Sequence, residues 1–327
     1  MAEWLVEEGI GEERAVLLKD GEIVAARLYW PGGLTLGQVE DAQVIALKPH
    51  GVWRKYGVVR FGNGEEAYAS RMPRETTEGM RVRQEVTREA IAERGRLKRA
   101  QSTHTEKEPT PAPALAYQIA NDGDDATVVP AFPREADWNE IFVEAWTGDI
   151  EFLGGALIVS DTPAMTLIDV DLRDYPEALF HNGVPVIART LKRLQITGNI
   201  GIDFPTLDKP NRKAVDAKLD ECLAGWPHER TAMNGFGFVQ IVAAQGQPSI
   251  LQRIGRDRSG AAARLLLRKA ERLTGAGKIE LAAHRAVIAK LTPDWLAELS
   301  RRTAKEVVTR PDPALALEAP HAQLVPL

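Results

Sequence analysis

Residues 153–255 alternate short apolar strands with helical patterns, and this alternation constrains the fold more than any other feature of the chain. Residues 156–159, 165–171, 198–204 and 236–243 read as strands. Residues 185–194 and 211–223 read as helices; in the first, Val186, Ile187, Leu191 and Leu194 recur near helical spacing. A basic helix is predicted over 258–274, then strand, helix, helix and strand over 278–310, with a loosely held tail from Pro311.

The N-terminal half has a different rhythm. Residues 14–18 and 23–29 read as a hairpin around Asp20-Gly21, stopped by Trp30-Pro31-Gly32-Gly33. Strand patterns at 39–47, 52–61, 66–70 and 78–86, with a tight turn at Gly62-Asn63-Gly64, predict a small barrel over 36–101. Residues 102–134 begin with a proline-bearing polar run and read as a linker.

Hydrophobic residues are 44% of the chain and charged residues 27%, a globular balance that excludes a wholly disordered or fibrous protein. No apolar run reaches the roughly 18–20 residues of a membrane helix. The acidic start, Met1 to Glu8, lacks the layout of a secretory signal, and a cytoplasmic location is expected. A single cysteine, Cys222, excludes an internal disulfide and any multi-cysteine metal site. The net charge of −5 neither marks nor excludes a nucleic-acid binder, because local patches decide that.

The residues most able to carry chemistry are Asp169, Asp171 and Asp203. Residues two apart on a strand share a face, so Asp169 and Asp171 project together. Asp203 ends another apolar strand, and if the two strands are neighbours three carboxylates converge. Such a set needs a cation, and hard oxygen donors suit Mg²⁺ or Mn²⁺. The same spacing is met by strand-end aspartates that cap turns, and the spacing alone does not choose.

A family resemblance adds to this. Gly154-Gly155-Ala156-Leu157-Ile158-Val159, the turn to Thr162-Pro163-Ala164-Met165-Thr166, and Ile168-Asp169-Val170-Asp171 resemble the catalytic segment of the ribonuclease E/G family. Val186 to Leu194 followed by Ile200-Gly201-Ile202-Asp203-Phe204 resembles its next helix and second metal strand, and Gly235-Phe236-Gly237-Phe238-Val239-Gln240-Ile241 its later Phe-Gly strand. The blocks keep order and spacing over about 100 residues.

The resemblance implies an α+β protein in five parts. Residues 1–35 would be N-terminal strands of a ribonuclease H-like part, and 36–101 an inserted S1 (OB-type) barrel. Residues 102–134 would be linker, 135–255 a DNase I-like catalytic subdomain, and 256–327 a small C-terminal α+β domain and tail. It implies a Mg²⁺-dependent (or Mn²⁺-dependent) endoribonuclease acting on single-stranded RNA, with Asp169 and Asp203 as metal ligands. Asp171 stands where the family has an asparagine. Tyr68 aligns with an RNA-facing barrel aromatic, whereas Val58 stands where a second is expected; Trp53, Tyr56 and Phe61 are candidate substitutes. Arg94, Arg96 and Lys98, and Arg256, Arg264 and Arg268, are candidates to follow an RNA backbone; solvated surface is the alternative. The chain departs from the family in lacking the 5′-sensing domain and the zinc-link cysteines. Gly235 and the Val242-Ala243-Ala244-Gln245 run replace basic positions. No 5′-monophosphate sensing and no zinc-linked oligomer are therefore expected, and an RNA-binding relative with little catalysis is the alternative reading.

Overall fold

The computed structural model describes residues 2–50, 54–93, 96–173 and 176–326, a mixed α+β protein. Strands β1 (Ala2–Gly9), β2 (Glu12–Lys19) and β3 (Glu22–Tyr29) form an antiparallel meander. The β2–β3 turn takes positive φ at both Asp20 (53°) and Gly21 (83°), as a two-residue hairpin with the right twist requires.

The chain then leaves for a closed five-stranded barrel, the strand count of an OB-type barrel. Its strands are β4 (Val39–His50), β5 (Arg54–Arg60), β6 (Glu66–Met72), β7 (Arg81–Arg88) and, beyond the short hairpin β8 (Ile91–Glu93) and β9 (Arg96–Lys98), β10 (Ala100–His104). Alternate residues Ala42, Val44, Val59, Ala67, Ala69, Val82 and Val86 fill the barrel core with Phe61 and Met72. β10 closes it, parallel to β6 and antiparallel to β7.

Residues 102–134 are therefore not a bare linker. They hold the end of β10, helix α1 (Leu115–Asn121) and strand β11 (Ala126–Val129). β11 pairs parallel with β1, which returns the chain to the N-terminal sheet in the order β11-β1-β2-β3. The barrel is thus inserted between strands of one sheet.

Helix α2 (Trp138–Thr147) leads into a six-stranded sheet. Its strands are β12 (Asp149–Phe152), β13 (Gly155–Asp161), β14 (Thr166–Leu172), β15 (Gly198–Asp203), β16 (Glu229–Arg230) and β17 (Phe238–Ala243), in the order β12-β13-β14-β15-β17-β16. Helices α3 (Pro176–Ala178), continued through a π-helical turn into α4 (Val184–Arg193), and α5 (Lys209–Cys222) connect the strands. Leu157, Val159, Ile168, Val170, Ile200, Ile202, Val239 and Ile241 face one way into a core shared with Trp138, Ile141, Ile187 and Leu191 of α2 and α4. One face of the sheet is therefore covered and the alternate residues line the other.

Helices α6 (Ile250–Arg256) and α7 (Arg258–Glu271), strand β18 (Lys278–Ala283), helices α8 (Arg285–Ile288) and α9 (Pro293–Thr303), and strand β19 (Val307–Pro311) complete the same core. The expected tail is a strand instead: β20 (His321–Val325) pairs antiparallel with β18. No described helix is long and apolar enough to cross a membrane.

Candidate functional site

The parallel pairing of β14 and β15 sets Asp169 directly across from Asp203. Adjacent strands lie about 4.8 Å apart, so the two carboxylates leave the sheet side by side. Both are exposed, while their strand neighbours Ile168, Val170 and Ile202 are buried on the helix-covered side. The row continues through Ile158 of β13 on one flank and Phe238 of β17 on the other. Asp171 shares the face one pleat further along, with its Oδ2 3.9 Å from Arg173 Nε. Arg173 in turn makes two hydrogen bonds to Glu151, at 2.9 and 3.1 Å. The structure thus gives a carboxylate pair with a third acid beside it. Among the described residues, no three His, Cys, Asp or Glu side chains group so as to hold a metal by themselves.

The surrounding glycines have packing reasons. A Cβ on Gly155 would meet the Asp171 carbonyl at 2.3 Å, and Gly154 has φ +97°, so the Gly-Gly pair makes the β12–β13 turn. A Cβ on Gly201 would meet Phe238 Cζ at 2.6 Å and Met165 Sδ at 2.7 Å, which places the Phe238 ring on the sheet beside the aspartate row. Asn182 donates to the Leu153 carbonyl at 3.0 Å and pins that turn.

On the barrel, Tyr68 points outward, 52% exposed, opposite Val58. The Arg99 guanidinium lies 5.4 Å from its ring centroid and 3.2 Å from Glu66, so the aromatic carries a cation beside it. Tyr56, on the neighbouring strand, is also exposed. Phe61 is buried in the barrel core and is excluded as a substitute stacking residue. Trp53 and Arg94 lie outside the described residues. Arg96 opens β9, and Lys98 ends it, half-exposed, 3.6 Å from Glu93.

The second basic stretch divides. Arg256 is exposed at the end of α6. With Arg258, whose guanidinium sits 4.9 Å over the Trp146 ring, it lines a cleft of about 510 Å³ that also takes in Ser160, Asp161 and Gln252. Burial pushes the Asp161 carboxyl up, against a hydrogen bond from Gln252 at 2.9 Å.

Arg264 and Arg268, in contrast, are not placed to follow a nucleic-acid backbone. Arg264 is held between Trp30 and Trp295, 4.2 and 4.8 Å from their ring centroids, and its Nε donates to the Gly11 carbonyl at 2.8 Å. Arg268 is buried, 3.5 Å from Glu7, in a cluster with Arg14, Glu12 and Arg272. Burial, with the neighbouring Arg14 charge next, brings its guanidinium down to about 10. The acids that partner these arginines come from β1 and β2, about 260 residues earlier in the chain. A local reading of α7 does not reveal them.

No protein-family model matches the chain, and no curated protein is significantly similar to it. The likeness to the ribonuclease E/G family therefore rests on the residues quoted above.

Proposed function

We propose that the protein is a metal-dependent endoribonuclease of ribonuclease E/G type that hydrolyses single-stranded RNA without reading a 5′-monophosphate. The observation that carries the reading is the register that brings Asp169 and Asp203 side by side on an exposed sheet face. Two adjacent ionised carboxylates repel each other, and a divalent cation turns that repulsion into attraction. The donor set fits Mg²⁺, which takes one or two carboxylates and completes its shell with water and substrate phosphate. When bound, such an ion supplies Lewis-acid polarisation of the phosphate and a lower pKa for the attacking water.

The residues of the chain would then divide the work. Asp169 and Asp203 anchor the cation, and Asp171 adds negative charge one pleat away. Tyr68 offers a stacking face on the barrel with the Arg99 cation beside it. Arg256 and Arg258 offer positive charge at the cleft that borders β13. In this reading the barrel is the S1-like insertion and the six-stranded sheet, helices on one face and carboxylates on the other, is the DNase I-like part. Cleavage as in the family leaves a 5′-phosphate and a 3′-hydroxyl.

The test is an end-labelled single-stranded RNA incubated with Mg²⁺, Mn²⁺ or EDTA, with the matching DNA alongside. Internal cuts that need the metal, carry 5′-phosphates and are absent on DNA support the reading. Equal cutting of DNA points to a broader phosphodiesterase, since RNA preference needs the 2′-hydroxyl. Metal-independent binding with no cuts favours a second reading, an RNA-binding relative without catalysis. Val58, Gly235 and the inward-facing Arg264 and Arg268 speak for that second reading, because each removes an expected RNA contact.

A further inference from the structure

The C-terminal ends of the parallel strands β14 and β15 carry the aspartates, and the same end of the sheet carries two apolar side chains left in solvent. Phe236 is 87% exposed and Leu153 79%, more than any other exposed large hydrophobic among the described residues. Leu153 caps the β12–β13 turn, where Gly154 accepts a backbone hydrogen bond from Arg173 just past Asp171. Phe236 caps the turn into β17. Three strand spacings separate β13 from β17, so the two turns lie on either side of the aspartate strands.

The turn that carries Phe236 is fixed by its own backbone hydrogen bonds. Asn234 Oδ1 accepts from the backbone N–H groups of Phe236 and Phe238, at 2.9 and 3.1 Å. Asn234 N–H donates to the Phe238 carbonyl at 3.1 Å, and Gly237 N–H to the Asn234 carbonyl at 3.2 Å. The Gly237 carbonyl accepts from Phe204 N–H at 3.1 Å, which ties the turn to the residue after Asp203. Gly237 has φ +89°, and a Cβ there would meet the Phe204 carbonyl at 2.5 Å. A solvent-facing phenyl ring gains nothing in the isolated protein. A ring carried outward on so constrained a turn offers a stacking surface, since every base has a π-face and base–aromatic stacking tolerates any sequence.

We infer that Phe236 binds the unpaired nucleobase of a nucleotide flanking the scissile phosphate, and so sets which phosphodiester lies over Asp169 and Asp203. The inference rests on the nuclease reading above. It makes Phe236 a positioning residue, while the aspartates do the metal-dependent work. Leu153 stands on the opposite side of the aspartate strands.

The experiment uses the full chain in EDTA with a single-stranded RNA carrying the fluorescent base 2-aminopurine at successive positions, bound by wild type, Phe236→Ala and Phe236→Trp. The expected result is one position where wild type and Phe236→Trp change the fluorescence at least twofold more than Phe236→Ala. Cut-site mapping with Mg²⁺ should then show Phe236→Ala spreading its cuts over neighbouring bonds, with equal thermal stability. Superimposable fluorescence profiles for the three proteins, each saturated with RNA, overturn the inference even if cleavage is Asp203-dependent. A change in oligomeric state on Phe236→Ala with an unchanged profile also overturns it and makes the ring a protein contact. Failure of all three proteins to bind RNA removes the inference and the nuclease reading together.

Discussion

The aspartate face of the six-stranded sheet and the arginine face of helix α7 looked alike in the sequence: each was a set of charges at the repeat of its element. The structure treats them oppositely. Asp169 and Asp203 are exposed side by side on neighbouring strands. Arg264 and Arg268 are turned inward, one between two tryptophans and the other against Glu7. Like charges exposed together without a partner are a cost that a ligand can relieve. Charges buried with opposite partners hold sheet, helix and N-terminal strands in one arrangement. The second arrangement is a fastening, and the first is what the proposed metal site would require.

The largest effect on stability should come from Arg14, which is buried and bonded to both Glu7 and Glu12. Arg14→Ala leaves two carboxylates short of a partner and should cost about 3–5 kcal/mol of unfolding free energy. Denaturant titration checks this. Next comes Asp203→Asn. Loss of one ligand from a two-carboxylate site should lower the cleavage rate by roughly a hundred- to thousandfold, a few kcal/mol of barrier, with the melting temperature unchanged.

Arg268→Ala sharpens the comparison. It should lower the melting temperature and leave the RNA affinity of the folded protein as it was; weaker RNA binding at unchanged stability would break the distinction drawn between the two regions. Tyr68→Ala should show the reverse, a loss of about 1–3 kcal/mol in RNA affinity without loss of stability. Smallest is the acid response of the fastening. Burial raises the Glu7 carboxyl, but Arg14, Arg268, the Phe132 N–H and Arg272 together hold it below its ordinary value. Its contribution is therefore fully present above about pH 4.3 and is lost as pH falls through the depressed value. The gap in melting temperature between wild type and Glu7→Gln should close as the solution is acidified below that point.

How much was legible follows from the range of the forces involved. Period-two alternation in Leu167 to Asp171 placed both acids on one face, and pairing with β15 then needed only a neighbour. The Asp20-Gly21 hairpin and four barrel strands were legible because turn chemistry and alternation are local. The fifth strand, Ala100–His104, is polar and short of apolar alternation, and it exists because β6 and β7 offer it two edges. Strand β20 has the same origin, an edge of β18 some 40 residues upstream. The α7 arginines misled because burial of a charge is decided by its partner, and Glu7 and Glu12 lie at the other end of the chain. Phe236 carried no signal in a strand pattern, since its exposure comes from the Asn234 turn.

The pairing of Asp169 with Asp203 is tested most directly by single-turnover cleavage of a labelled single-stranded RNA in Mg²⁺. Wild type, Asp169→Asn, Asp203→Asn and the double variant would be compared. If the two carboxylates hold one cation together, each single variant should lose nearly as much rate as the double variant, because their effects are not additive. Full activity in both single variants would contradict the account.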